Sequence, residues 1–229
     1  MIAANPVATE TSAKLTKEPS KPREPKEPKE PNKPREQRKR TDKAQQPMSS
    51  EAFIRNALAE SRRYQGIAEN AIAQIPDAAL FEVLDEESNS IAMLVKHLSG
   101  NLSSRWSDFR ISDGDKPNRN REAEFRSHAD DTRVNLMQRW EAGWSCLFSA
   151  LERLQPEDLE KTVTIRSEPC TVLEAIHRGI LHAAYHVGQI VLLAKHYTGS
   201  NWQSLSIPRG KSEEYRAAGR PADRNYWRR

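Results

Sequence analysis

Residues 171–196, TVLEAIHRGILHAAYHVGQIVLLAKH, decide the fold of this 229-residue chain. Thr171 and Glu174 have the Thr-x-x-Glu spacing of a capping box, which satisfies free backbone N–H groups at the start of a helix. Apolar residues then recur every three or four positions and share one face at about 100° per residue. This face contains Val172, Ile176, Ile180, Ala183, Val187, Ile190, Val191 and Ala194. The pattern predicts one long amphipathic helix.

Two histidines, His182 and His186, lie one turn apart beside this apolar face. The Cβ atoms of such a pair are about 5–6 Å apart, so both imidazoles can bind one metal ion. Ala175 and Gly179, both small, leave room near the two rings. The spacing alone fits equally well two histidines on a half-buried face, each hydrogen-bonded to a neighbour. A third ligand from another helix decides between these interpretations.

Three earlier segments also have helical periodicity, at about 51–74, 90–109 and 130–154. Ser49 or Ser50 is the expected cap of the first, the cluster at 88–90 that of the second, and Asp130 or Asp131 that of the third. Trp140, Trp144 and Phe148 are expected in the core. Residues 161–170, KTVTIRSEPC, alternate apolar and polar positions and predict at most a small β-hairpin.

The second helix carries a polar stripe of His97, Asn101, Ser104 and Asp108, spaced i, i+4, i+7 and i+11. A single histidine at such an edge is usually a surface residue. With His182 and His186 on a partner helix, however, His97 becomes the expected third metal ligand. Three neutral imidazoles leave one or more coordination positions open, as in catalytic zinc sites.

The segment 111–126, ISDGDKPNRNREAEFR, predicts a long ordered loop because it combines Asp-Gly, a proline and alternating charges. Arg119 and Arg121 could bind an anion there. Pairing with Glu122 and Glu124, which would hold the loop in place, is the favoured interpretation.

The charge of the chain is unevenly divided. Residues 1–47 contain 12 of the 36 Lys and Arg and 7 of the 32 Asp and Glu, so this leader is basic and the remainder has a net charge of −1. A nearly neutral body argues against a nucleic-acid-binding surface on the folded domain. The sequence contains no run of 18 apolar residues and so predicts no membrane span. The first residues lack the apolar core of a secretory signal.

Prolines recur at every third position from Pro19 to Pro34 in the leader, the period of a polyproline II helix. We predict a disordered leader at 1–47, or residues upstream of a true start at Met48; a basic tether is the alternative. A domain at 48–217 and a basic tail at 218–229 follow. Cys146 and Cys170 form no disulfide framework or zinc-finger spacing, which favours reduced thiols in a cytoplasmic protein.

Four segments together resemble the DinB-like superfamily of metal-dependent four-helix-bundle proteins, in particular a bacterial branch of unassigned function. They are SNSIAMLVKHLSGNLSSRWSDF (88–109), DGDKPNRNREAEF (113–125), LHAAYHVGQIVLLAKH (181–196) and SIPRG (206–210). The resemblance covers roughly 53–216 and not the leader. It implies an all-α, up-down four-helix bundle in which His97, His182 and His186 bind a divalent ion such as zinc or nickel. Members with known activity include thiol-dependent transferases and isomerases, and homodimers are common.

From these observations we expect a metal-dependent transferase that activates a low-molecular-weight thiol for attack on a small electrophile. A metal-assisted hydrolase, and a non-catalytic stress-related or partner-binding bundle with a structural metal, are the alternatives. Asn101 and Gln189 are candidates to orient the metal ligands, and Arg209 is a candidate contact for a substrate anion. The Glu174-x-x-His177 motif matches half of a carboxylate-bridged di-iron site, but no second copy is present.

Overall fold

The computed structural model of the protein describes residues 49–217, so the predicted leader and basic tail lie outside the described residues. The described part is mostly helical with a small antiparallel sheet. The helices are α1 (Ser50–Ile72), α2 (Ile91–Trp106), α3 (Arg121–Glu124), α4 (Arg133–Glu152), α5 (Val172–Thr198) and α6 (Ser212–Ala217), and the strands are β1 (Thr162–Ile165) and β2 (Glu168–Thr171). A 3-10 helix, Asp77–Leu80, follows α1. None of the helices in residues 49–217 has the length and apolar character needed to cross a membrane.

The starts of the long helices follow the capping residues in the sequence. Ser49 and Ser90 accept hydrogen bonds from backbone N–H groups three residues on. Thr171 and Glu174 form both hydrogen bonds of the predicted capping box. The third long helix begins later than predicted, because Thr132 caps α4 while the carboxylate of Asp131 binds Lys96 instead.

The second long helix ends at Trp106 rather than at the predicted residue 109. Ser107 is extended, with ψ 122°, and Asp108 adopts a positive φ of 49°, which a right-handed helix does not continue. Asp108 therefore leaves the polar stripe predicted for α2, whereas His97, Asn101 and Ser104 stay on the helix and are buried.

The core lies between the four long helices. Helix α2 packs mainly on α4, α1 packs mainly on α5, and α2 also contacts α5. A Cβ atom at Gly143 would lie 2.9 Å from the backbone of Ser99, so only glycine permits this approach of α4 to α2. Trp140 and Trp144 are fully buried, as predicted, with ring centroids 5.5 Å apart.

The β-hairpin leads directly into α5, because Thr171 is both the last residue of β2 and the N-cap of the helix. Its turn residues, Arg166 and Ser167, both have positive φ, as in the tight turns that suit the twist of a hairpin. Their backbone N–H groups donate to the carboxylate of Asp113. The hairpin and the loop after α2 thus fix the entry to the helix that carries His182 and His186.

Candidate metal centre

Helices α2 and α5 bring His97, His182 and His186 together. One ring nitrogen from each histidine lies within 4.8 Å of the others. The Nε2 atoms of His97 and His182 are 3.4 Å apart. Two nitrogens bound to one tetrahedral zinc at about 2.0–2.1 Å would be separated by roughly the same distance. The cluster could therefore hold a metal ion with only small side-chain movements.

The ring of His97 is held by a buried carboxylate. Nδ1 of His97 lies 2.9 Å from Oε2 of Glu124, and the two side chains are 7% and 10% exposed. Because the carboxylate can only accept a hydrogen bond, Nδ1 carries the proton and Nε2 keeps its lone pair facing the other histidines. A carboxylate on the second ring nitrogen is the usual partner of a metal-binding histidine.

Glu124 is itself fixed by Arg119, whose Nε and one terminal nitrogen donate to the two carboxylate oxygens at 2.7 and 2.8 Å. Burial raises the pKa of Glu124, but the hydrogen bonds from His97 and Arg119 outweigh it and leave this pKa below its usual value. The carboxylate therefore stays charged at neutral pH. The favoured sequence interpretation, that arginines of this loop pair with its glutamates, is confirmed for Arg119.

A second residue orients His186. Oε1 of Gln189 lies 2.8 Å from Nδ1 of His186 and accepts a hydrogen bond from its N–H. This again leaves Nε2 with a lone pair for the cluster. Gln189 was predicted from its position one turn beyond His186, and the structure places it in contact with the ring.

The surroundings of His182 and His186 favour the neutral forms of these two rings. Burial lowers the pKa of His182 to about 3, helped by the nearby His186 and His97 and the positive charges of Arg105 and Arg119. Burial also lowers the pKa of His186, although the hydrogen bond to Gln189 partly opposes it. The neutral imidazole is the form that binds a metal cation.

Other residues singled out in the sequence lie elsewhere. Asn101 is buried on α2, yet within residues 49–217 its amide makes no hydrogen bond to His97. Arg209 is exposed in the loop after α5, and in the same described range it forms no ion pair. Glu174 serves the helix cap and His177 is exposed, which leaves no di-iron half-site. The space beside Gly179, expected to accommodate the histidine rings, is filled by the indole of Trp106.

Glu124 is the residue that sequence reasoning missed as part of the site. It appeared only as a partner for Arg119 in a charged loop, and nothing in its spacing from His97 points to the contact. The loop brings Glu124 to α2 because residue 100 is glycine, which leaves space for the carboxylate. In the sequence, the only sign of the contact between Glu124 and His97 is a glycine one turn after His97 combined with an Arg-x4-Glu loop.

Two comparisons with known proteins bear on this site. Among curated proteins, none matches the chain. A family model described as "Protein of unknown function (DUF1572)" matches residues 48–211, which include α1 to α5 and all three histidines. Because this match covers most of the chain, the protein belongs to the DUF1572 family.

Proposed function

We propose that this protein is a metal-dependent transferase of DinB-like, four-helix-bundle type, in which His97, His182 and His186 hold one divalent ion such as zinc or nickel. The observation that carries this proposal is the joint orientation of the rings. Glu124 and Gln189 accept hydrogen bonds from the Nδ1–H groups of His97 and His186, so both Nε2 lone pairs are left for a common ligand.

The bundle assignment is supported by the packing of α1, α2, α4 and α5 around one core. Short helices and the hairpin occupy the connections. In such bundles, metal sites are built from side chains on facing helices, which is how α2 and α5 present their histidines. The DinB-like assignment adds to this the resemblance of residues 88–109 and 181–196.

An enzymatic rather than a structural ion is supported by the exposure of the site. His97 is buried, but His182 and His186 are only half-buried, so the cluster lies at the edge of the core rather than inside it. With three protein ligands, a zinc-like ion keeps a position for water or substrate. Such an ion would supply Lewis acidity, lowering the pKa of a thiol or a water near it.

The protein residues have separate tasks in this proposal. The histidines bind the ion, Glu124 and Gln189 hold two of the rings in orientation, and Trp106 excludes water on the Gly179 side. In thiol transfer, the S–H proton is lost to solvent and a new S–C bond forms. The leaving group departs with the electron pair of the bond that breaks.

Cys146 and Cys170 are free thiols, which fits a cytoplasmic location.

Metal analysis of the purified full-length chain tests the metal site. We expect a stoichiometric divalent ion in the wild type and its loss in H97A, H182A and H186A. His177→Ala is the matched control, because His177 lies on the same helix but is exposed. Equal metal content in the H182A and H177A variants would contradict the assignment.

Activity is tested with the metal-loaded protein, small thiols such as glutathione and cysteine, and a chromogenic aryl halide. We expect thiol consumption and halide release in equal amounts, at a rate that H182A does not support. Formation of the phenol instead of the thioether would identify a hydrolase. No rate above that of H182A with any pair would count against an enzymatic function.

A further inference from the structure

Arg105 is a buried cation without an acidic partner among residues 49–217. The residue is 8% exposed, and its Nε and Nη1 atoms are fully buried with no hydrogen-bond acceptor in residues 49–217. Buried charges in proteins are normally paired, so an unpaired guanidinium requires an explanation. Its aliphatic stem is fixed, because Cγ packs beside Gly114 in the loop after α2.

A second unpaired donor lies next to it. Nε1 of Trp106 is also fully buried without an acceptor among the described residues. Arg105 and Trp106 line the same cavity of about 10 Å³, together with Gly114, Ile165 and Ala175. This volume accommodates one water or one oxygen atom of a larger group. Every unpaired group here is a donor, so the complementary ligand is an acceptor.

Nearby cations add to this positive potential. Burial, together with the positive charges of three neighbouring arginines, lowers the pKa of Arg105 to about 10; these neighbours are Arg178, Arg166 and Arg119. Arg119 is neutralised by Glu124, and Arg166 lies 3.4 Å from the carboxylate of Asp115. Arg178, which is exposed on α5, forms no ion pair within residues 49–217. Within the described part of the chain, Arg105 and Arg178 are thus the two members of this group that form no ion pair.

These residues lie beside the histidine cluster. Arg105 is two helical turns beyond His97 on α2, and Arg178 is one turn before His182 on α5. The two helices touch at this level, where a Cβ atom on Gly179 would lie 2.9 Å from the Trp106 ring. The charge of Arg105 also helps to lower the pKa of His182, so the guanidinium lies near the histidine cluster.

We propose that Arg105, Trp106 and Arg178 form a subsite for an oxyanion, a carboxylate or phosphate group on the molecule that reaches the metal centre. Guanidinium groups bind both kinds of oxyanion through paired, charge-assisted hydrogen bonds. The assignment rests on the proposed metal-dependent function, since it makes the substrate or its thiol partner an anion. It differs from the notion that Arg209 contacts the anion, because Arg209 is exposed and Arg105 is buried.

Calorimetric titration of the full-length protein with inorganic phosphate and, separately, succinate tests the subsite at constant ionic strength. We expect saturable binding of at least one anion, and the tighter of the two identifies the substrate's oxyanion class. Arg178→Gln and Trp106→Phe each remove donors without placing a new charge in the core, and Arg178→Gln is expected to weaken binding about 10-fold. Arg55→Gln, an exposed arginine on α1, is the matched control and should bind like the wild type.

Arg105→Gln should abolish anion binding. If that protein does not fold, the anion affinities of the Arg178→Gln and Trp106→Phe variants test the subsite instead. Absence of saturable binding to the wild type, or equal effects of the Arg178 and Arg55 substitutions, would overturn the subsite. Repeating the titration with H97A separates the two proposals. Retained phosphate binding in the metal-free variant supports the subsite even if the ion proves unnecessary. Binding that disappears with the metal and ignores Arg105 and Arg178 would show that the anion contacts only the ion.

Discussion

The carboxylate of Glu124 lies against Gly100 of α2, in the space that a side chain at residue 100 would occupy. A Cβ atom there would clash with Oε1 and lie 3.0 Å from Cδ of Glu124. The same carboxylate accepts a hydrogen bond from the Nδ1–H of His97, three residues before the glycine. The absence of a side chain at residue 100 is therefore a condition for the orientation of a metal-ligand candidate.

Gly100→Ala tests this relationship. The added methyl group should displace Glu124 and free the His97 ring, and loss of such an orienting contact typically weakens metal binding about 10-fold or more. Helix propensity alone would favour alanine by about 1 kcal/mol, so helix content should not fall. Competition titration with a zinc chelator measures the change.

Gly188→Ala is the control for Gly100→Ala, because this glycine is also inside a helix and a Cβ atom there would meet nothing within 4 Å in residues 49–217 apart from the backbone of its own helix. We expect unchanged zinc affinity and equal or higher stability. Identical zinc affinities for the two alanine variants would show that the position of Glu124 does not matter.

Glu124→Gln removes the charge while keeping the size of the side chain. We expect zinc affinity to fall about 10- to 100-fold, because the ring of His97 loses a charged acceptor that fixes its tautomer. Arg119, 8% exposed, would also lose its only ion-pair partner in residues 49–217. The control is Glu122→Gln, an exposed residue two positions earlier. Chelator competition and urea unfolding on both variants give the result, and equal behaviour of the two would refute a special role for Glu124.

Features of the structure that depend on residues close together in the chain could be predicted from the sequence, and features that depend on distant residues could not. Helix α5, its capping box and the hairpin before it depend on contacts between residues close in the chain, and all were predicted. The last residue of α2 and the first residue of α4 were not predicted correctly, because the backbone at Asp108 and the burial of Asp131 depend on distant partners. In the site, the His182–His186 pair follows from helical spacing, and His97 was added because it heads a polar stripe on another helix. Glu124 reaches His97 from 27 residues away through a loop, which no periodicity reveals.

The metal-free protein should lose stability in mild acid through His182. Its pKa is about 3 in the folded chain, chiefly because of burial, and about 6.5 when unfolded. Between these values the unfolded chain binds a proton that the folded chain does not. The stability associated with His182 is thus complete above pH 6.5 and is lost progressively as the pH falls toward 3.

Urea unfolding of chelator-treated protein at several pH values measures this dependence. H182Q should flatten the decline between pH 6.5 and 4, whereas H177Q, which alters an exposed histidine on the same helix, should not. Adding zinc should raise the unfolding midpoint of the wild type and H177Q but not that of H182Q, because a ligand that binds only the folded state stabilises it. Parallel pH profiles for H182Q and the wild type would contradict the assigned pKa shift.

Lys96 and Asp131 form a buried ion pair that joins α2 to the segment before α4. Their side chains are 4% and 3% exposed, and Nζ donates to Oδ2 at 2.6 Å and also to the backbone oxygen of Arg126. Burial raises the pKa of Asp131, but the hydrogen bonds from Lys96 and the His128 N–H leave it below the usual value. Such a lowered pKa contributes stability above about pH 4 that is lost as the pH falls through the folded-state value.

Lys96→Met should therefore destabilise the protein by about 1–3 kcal/mol at neutral pH, because the buried carboxylate loses its closest donor and keeps only Arg139, 3.5 Å away, as a cation partner. The pKa of Asp131 should rise, so the acid unfolding midpoint should move to higher pH. Lys161→Met is the matched control: Lys161 pairs with Asp158 at 2.7 Å but is 63% exposed, and we expect about 1 kcal/mol or less. Urea unfolding from pH 3 to 7 measures both variants.

Zinc stoichiometry should be unchanged in each variant. Lys96 lies next to His97 in sequence, but its ammonium binds Asp131 and the backbone of Arg126 rather than the histidine cluster. Equal destabilisation by the two lysine substitutions would show that burial of the Lys96–Asp131 pair has no energetic consequence.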